Sequence, residues 1–535
     1  MKAENRYDTI VVGGGIAGLT AAAYLARAGQ NILLFEKNEK CGGLVNSFTR
    51  DGFHFEAGVR ALEDAGIVFP MLEDLGIHLE VVKSRVSLGI ENEMLHIDGL
   101  ESIDRYRDML ARLYPESEKE IDAVIAVIRR IMKHMEVLYG IENPVFKDLT
   151  RDRTFLFKKL LPWLPKFLFT VGKINRMNMP VEEYLDTIVT NPALKDIISQ
   201  HFFKNTPAFF ALSYFSLYLD YFYPKGGVDK LAEAVKQKIS EYGGQIQLGI
   251  KIVAVEADTC RVTDEGGAVY EYEHLVWAAD LKTFYSITET EGLPPKRKAI
   301  FANLKKEILS KRGGDSVFTL FVEVDEPLES FRRIANGHLF YTPSKQGLGA
   351  IHRQTLNDLL SARETVTKEE VLAWLDTFTR LNTYEVSIPG LMDPDLAPPG
   401  KTGLIVSLLA EYDLFNKVQE SGWYDEFTAE FENRILDVLA GSVYPMLKDK
   451  VIAHFSFTPL SIAERIASSE GAITGWSFEK PVPVVNKIQH SQRSVITPIP
   501  SIYQAGQWAY SPAGVPMSIL TGKLAADRII KKHAR

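Results

Sequence analysis

Gly13, Gly14, Gly15 and Gly18, followed by a carboxylate at Glu36, are residue types at a spacing that can hold a dinucleotide. Gly13 permits a tight turn, Gly15 puts no side chain between the backbone and a pyrophosphate, and Gly18 lets a helix lie close to a sheet. The unpaired N–H groups at the start of that helix, around Ile16 and Ala17, and the positive end of its dipole would stabilise a diphosphate. Glu36 lies roughly 20 residues past the glycines, where it can accept hydrogen bonds from ribose hydroxyls and disfavour a 2′-phosphate. The elements that must position these groups surround them. Residues 8–12 are a β-branched apolar run that predicts a buried parallel strand. Residues 19–26 are rich in helix formers, and residues 31–35 predict a second strand ending at the acid.

Past Glu36 the chain carries Lys37, then the pair Gly42 and Gly43 before Leu44, then Phe53, Phe55 and Glu56 leading to Gly58, Val59 and Arg60. These segments resemble the flavoprotein superfamily that includes amine oxidases, phytoene desaturases, carotenoid cis–trans isomerases and retinol saturases. In that superfamily the paired glycine passes close to the FAD diphosphate and ribityl, and the second segment brings backbone to the isoalloxazine ring. Leu44 stands where many relatives have an arginine. The resemblance continues at 223–231 and at 243–252, where it implies that Ile252 contacts adenine through its backbone. It recurs at 275–280, at 387–401, and at Thr458, Pro459 and Glu464. It closes with Gly506, Gln507, Val515 and Pro516, where Gln507 replaces an acid common in relatives. It thus implies an FAD site assembled from both ends of the chain.

The fold class so implied is α/β: a Rossmann-like FAD-binding domain (a doubly wound parallel sheet), a mixed-sheet substrate domain and a helical insertion. Residues 1–90, 225–290 and 490–535 would build the FAD domain, 100–220 a lid or membrane-facing insertion, and 290–490 the substrate domain. The runs at 316–324 and 402–409 read as strands of that last unit, and Ile121, Val124, Ile125, Ile128, Ile131 and Met132 follow helical spacing. The activity implied is oxidoreduction at carbon–carbon bonds of a lipophilic, isoprenoid or carotenoid-like substrate, by desaturation, saturation or cis–trans isomerisation, with quinone or oxygen as electron acceptor. Alternatives are an amine oxidase-like flavoenzyme and a non-enzymatic lipid-binding flavoprotein. The candidate catalytic residues are Arg60, directly after Gly58, His201 beside an aromatic cluster, and Tyr510 before Val515. His54, between aromatics, reads as a core residue, and no His/Asp/Glu cluster suggests a metal.

Composition bounds the remainder. The 535 residues suffice for two or three domains, and a net charge of −8 argues against nucleic acid as a partner. The only cysteines, Cys41 and Cys260, form no C-x-x-C pair, which excludes a disulfide framework and a cysteine zinc cluster. The polar residues 1–6 meet the first strand at once, so no signal peptide is expected, and no run of about 18 apolar residues predicts a spanning helix. The expected location is cytoplasmic or peripheral on a membrane. Residues 155–169 mix Phe, Leu and Trp with lysines, a pattern suited to a lipid surface.

Overall fold

The computed structural model describes residues 5–361 and 366–533; the polar residues 1–4 read above lie outside the described part. The N-terminal apolar run forms the strand Arg6–Val12, the glycine turn leads into the helix Ile16–Arg27, and the chain returns as the strand Ile32–Glu36. The two strands pair in parallel, Thr9 to Val12 against Ile32 to Phe35. Apolar side chains cover both faces, so the strands read as continuous hydrophobic runs rather than as alternation.

These strands lie inside an eight-stranded sheet. Its order is Gln245–Leu248, Ile32–Glu36, Arg6–Val12, Val269–Trp277, Arg261–Asp264, Ile252–Glu256 and Thr288–Glu289. Ile502–Gln504 pairs in parallel with the C-terminal end of Val269–Trp277. The last helix, Val515–His533, then packs on Ile16–Arg27. A Cβ on Gly522 would stand 2.3 Å from the Ala17 carbonyl oxygen, so only glycine allows that approach. Both ends of the chain thereby meet at one glycine turn.

A second, mixed sheet of seven strands faces the first unit, in the order Val451–Phe457, Ser316–Val324, Thr402–Ala410, Tyr384–Ser387, His338–Thr342, Val86–Ile90 and Glu93–Ile97. The boundary expected at residue 90 therefore shifts: residues 86–97 belong to this sheet, with Val86–Ile90 in parallel register beside His338–Thr342. An apolar strand pairs with whichever edge its neighbours present, and its own sequence does not name that edge. Between residues 100 and 220 the chain is helical, and the residues spaced from Ile121 to Met132 are buried along Glu118–Tyr139. Among the described residues no helix is long and apolar enough to cross a membrane.

Candidate functional site

The glycine turn opens onto a cavity of about 430 Å³ lined by Gly13, Gly15, Ile16, Ala17, Glu36, Lys37, Gly42, Gly43, Leu44, Gly58, Val59, Arg60, Ile252, Gly506, Gln507 and Val515. Three residues expected to bind the cofactor do not line it. Gly14 packs under Glu36 and Cys41, Gly18 lies against the Gly13 carbonyl, and Pro516 faces a second cavity. The turn is built for a ligand. No side chain caps the helix Ile16–Arg27, so its first N–H groups remain available. A Cβ on Gly15 would meet no protein atom within 4 Å, which makes that position part of an open cradle. Glu36 is fixed by the N–H groups of Gly14 (2.7 Å) and Asn38 (3.0 Å), so its carboxylate is oriented before any ribose arrives. These features fit a dinucleotide diphosphate at the helix start and its ribose at the acid.

The other end of the cavity is polar. Glu56, fully buried, accepts hydrogen bonds from the Tyr223 hydroxyl, from Ser47 Oγ at 2.5 Å and from the Val228 N–H at 3.2 Å. This anchors the segment that carries Gly58 and Arg60. The Val59 N–H donates to the Leu44 carbonyl at 2.8 Å, joining that segment to the paired glycines. Arg60 donates from Nη1 to the carbonyls of Glu56 (2.7 Å) and Gly58 (2.6 Å), and from Nη2 to Ser407 Oγ (3.0 Å) and Thr319 Oγ1 (3.5 Å). Strand register supplies those hydroxyls. Ser407 lies opposite Thr319 on one side and Glu385 on the other, so all three project from one face of the second sheet. Glu385 in turn meets His338 Nε2 at 2.9 Å. Thr319, Glu385 and His338 all line the cavity, and none was expected from the sequence. The available signal was a lone polar residue inside an apolar strand, as at Thr319 and Ser407.

A second cavity of about 300 Å³ meets the first at Gly514, which lines both. Its walls are mainly apolar, with Leu138, Tyr139, Phe209, Phe210, Met517 and Leu520, and Trp163, Phe167, Val171 and Ile174 from the helix Leu161–Ile174; Glu63, Asn143, Asn175, Asn178 and Gln492 add polar groups. Tyr510 lines this cavity, not the first, and burial raises its phenol above the ordinary range. His201 lines neither. It sits in a separate cavity of about 60 Å³, where burial pushes its imidazole down to about 4, and its partner is the Tyr218 hydroxyl at 3.5 Å. The structure therefore brings only Arg60 of the three catalytic candidates to the first cavity. His54 packs against the Gly227 turn and does not line it.

Glu63 also lines the second cavity, and burial together with nearby Asp220 pushes its carboxyl up to about 7, opposed by a hydrogen bond from Tyr221. A folded value above the ordinary 4.5 means that this group's contribution is full below pH 4.5 and is lost as pH rises to about 7. Glu63→Gln removes that dependence. Thermal melting of the two proteins at about pH 5 and about pH 8 should show the variant gaining up to about 3 kcal/mol over wild type at the higher pH. Parallel melting curves would contradict it.

Residues 16–530 match the family described as flavin containing amine oxidoreductase, and the chain belongs to that family. It is 23% identical over 535 residues to an all-trans-retinol 13,14-reductase of Danio rerio, covering 94% of this chain and 82% of that one. It is also 23% identical over 541 residues to a carotenoid 3,4-desaturase of Haloarcula japonica, covering 98% and 99%. A solved oxidoreductase from Methanosarcina mazei has the same fold, with a TM-score of 0.60 at 14% identity over 96% of this chain and 99% of that one. The protein is an FAD-dependent oxidoreductase of α/β fold.

Proposed function

We propose that the protein oxidises, reduces or isomerises a carbon–carbon bond of a lipophilic isoprenoid, which lies in the second cavity with its reacting end near Gly514. The observation that carries this reading is the junction itself: an apolar chamber of about 300 Å³ opening beside the cofactor cavity. FAD, when bound, supplies the two-electron chemistry. The chain supplies the rest. Gly13, Gly15, Ile16, Ala17 and the Gly42–Gly43 pair would hold the diphosphate, Glu36 the ribose, Ile250, Lys251 and Ile252 the adenine end, and Gly506, Gln507 and Val515 the flavin end. Arg60 places a fixed positive charge there, and the aromatic walls keep water from the reacting bond. The retinol- and carotenoid-directed relatives favour this reading over amine oxidation and over a non-enzymatic lipid carrier. Quinone or oxygen would take or recycle the electrons. The first sheet forms the cofactor unit, the second sheet the substrate unit, and the helices between residues 100 and 220 the lid.

Access from a membrane surface follows from the lid. The segment 155–169 turns Phe157, Leu161, Leu164, Leu168 and Phe169 outward, with Phe157 62% and Phe169 67% exposed, while the same helix lines the second cavity with Trp163 and Phe167. Lys158, Lys159, Lys166 and Lys173 flank the outward face. Such a helix can rest in the headgroup layer and pass a lipid from bilayer to cavity, which supports a peripheral membrane location. Replacing Phe157, Leu168 and Phe169 by serine should lower co-sedimentation with anionic phospholipid vesicles at least ~10-fold, since each buried side chain contributes ~1.5 kcal/mol or more. Unchanged sedimentation would remove the membrane from this reading.

The reaction is tested by mass spectrometry of lipid extracts from cells with and without the protein. A shift of two hydrogens identifies desaturation or saturation, and a retention shift at constant mass identifies isomerisation. Unaltered lipids beside an FAD-loaded protein that oxidises amines would overturn the proposal.

A further inference from the structure

One group at the cofactor cavity has the arrangement of a proton carrier. His338 is 2% exposed, and its ring lies between Tyr221, with centroids 5.3 Å apart, and Phe340, at 5.1 Å and 26°. Its Nε2 meets Glu385 Oε1 at 2.9 Å, while its Nδ1 is buried without a hydrogen-bond partner. Burial alone would raise the Glu385 carboxyl, but the hydrogen bond and charge of His338 and the charge of Arg60 outweigh it and hold the group below its ordinary value. Glu385 therefore accepts and the Nε2–H donates, which fixes the ring and leaves Nδ1 with a free lone pair.

An unpaired buried nitrogen is unfavourable unless something else occupies that position. Here the ring belongs to a residue lining the cavity that Arg60, Thr319 and Gly58 also line. The titratable and charged groups around it are Glu385 from the adjacent strand, Arg60 from the segment after Phe53–Glu56, and Tyr221 from Tyr221–Pro224. Glu63 lies behind Tyr221 and shares a hydrogen bond with it. A buried, carboxylate-oriented imidazole with one free nitrogen, lining the cavity that would hold the cofactor, is the geometry required of a general acid or base.

We infer that His338 transfers the proton of the reaction through Nδ1, with Glu385 as its positioning residue. This rests on the carbon–carbon bond reading above. In saturation one carbon of the double bond takes a hydride, with its electron pair, from reduced FAD. The adjacent carbon takes the Nδ1 proton; the π bond is lost, two C–H bonds form, and the imidazolium becomes neutral imidazole. In desaturation both transfers reverse: a hydride leaves to oxidised FAD, the neighbouring proton passes to Nδ1, and the π bond forms. Isomerisation without net redox needs no such group.

The test begins with the FAD-loaded protein and no substrate. Its visible spectrum, followed between about pH 5 and about pH 8, should show one ionisation that perturbs the flavin. His338→Gln should abolish that ionisation with FAD content unchanged, and Glu385→Gln should move it to lower pH, because the imidazolium loses its carboxylate. In cells, His338→Gln should reduce the two-hydrogen mass shift by ~100-fold or more. An ionisation that survives in His338→Gln, a titration that Glu385→Gln leaves in place, or a wild-type mass shift in His338→Gln each overturns the role of His338 alone. A wild-type protein that takes up no FAD overturns the cofactor reading, and this inference with it. A constant-mass retention shift keeps the flavin reading and overturns the proton transfer.

Discussion

Gly18→Ala is expected to yield a folded but paler protein, with FAD affinity lowered by up to ~100-fold. The reason is a single contact. A Cβ at this position would stand 1.9 Å from the Gly13 carbonyl oxygen and 3.2 Å from the Ala278 Cβ. Both neighbours are held. The Gly13 N–H donates to the Phe35 carbonyl at 2.8 Å, and the Ala278 N–H donates to the Val12 carbonyl at 2.8 Å. The helix Ile16–Arg27 must therefore move away from the turn, carrying its first N–H groups out of the cradle. Overpacking of this kind costs ~1–3 kcal/mol, and 3 kcal/mol is about 100-fold in affinity. Gly172→Ala is the control, since a Cβ there meets nothing within 4 Å and the residue is far from the turn. An FAD titration of the two variants decides the matter. If Gly18→Ala binds as wild type does, the close approach is not what holds the cofactor site together.

The contrast between what the sequence shows and what it hides follows from the range of the interactions. The turn at Gly13 to Gly18 and the acid at Glu36 are local: strand, glycines, helix and acid occupy one continuous stretch, so each residue type reports its own geometry. The closing segment was expected only by resemblance to the family's final motif, and Gly506 and Val515 line the same cavity as that stretch. The row of Thr319, Ser407, Glu385 and His338 was not legible. Its members come from four strands and reach one another only through register, which no single strand encodes. Nor does proximity in sequence to an aromatic cluster place a histidine at a reacting centre. His201 has its ring against Phe202, centroids 3.9 Å apart, and is held neutral by burial, whereas His338 has a carboxylate to orient it. What separates the two is the partner across the sheet.

That partner belongs to a charge cluster whose members should prove interdependent. Arg60 is buried, and its four hydrogen bonds end on two carbonyls and two hydroxyls, with the Glu385 charge close enough to act on it. Arg60→Met removes the donors, leaves the carbonyls of Glu56 and Gly58 without them, and deprives Glu385 of a compensating cation. Leaving a buried acceptor without its donor typically costs ~1–3 kcal/mol. Glu385→Gln removes the opposite charge and also loosens His338. In the double variant neither charge is left uncompensated, so its loss should fall short of the sum of the single losses by ~1–3 kcal/mol. Denaturant unfolding of the four proteins, loaded with FAD, measures this coupling. Strictly additive losses would mean that Arg60 is held by its carbonyls and hydroxyls alone, and that the second sheet contributes no charge balance to the cofactor cavity. A coupling of the expected size would tie Arg60, Glu385 and the His338 ring into one electrostatic unit, linking a residue of the cofactor segment to the strands of the substrate sheet.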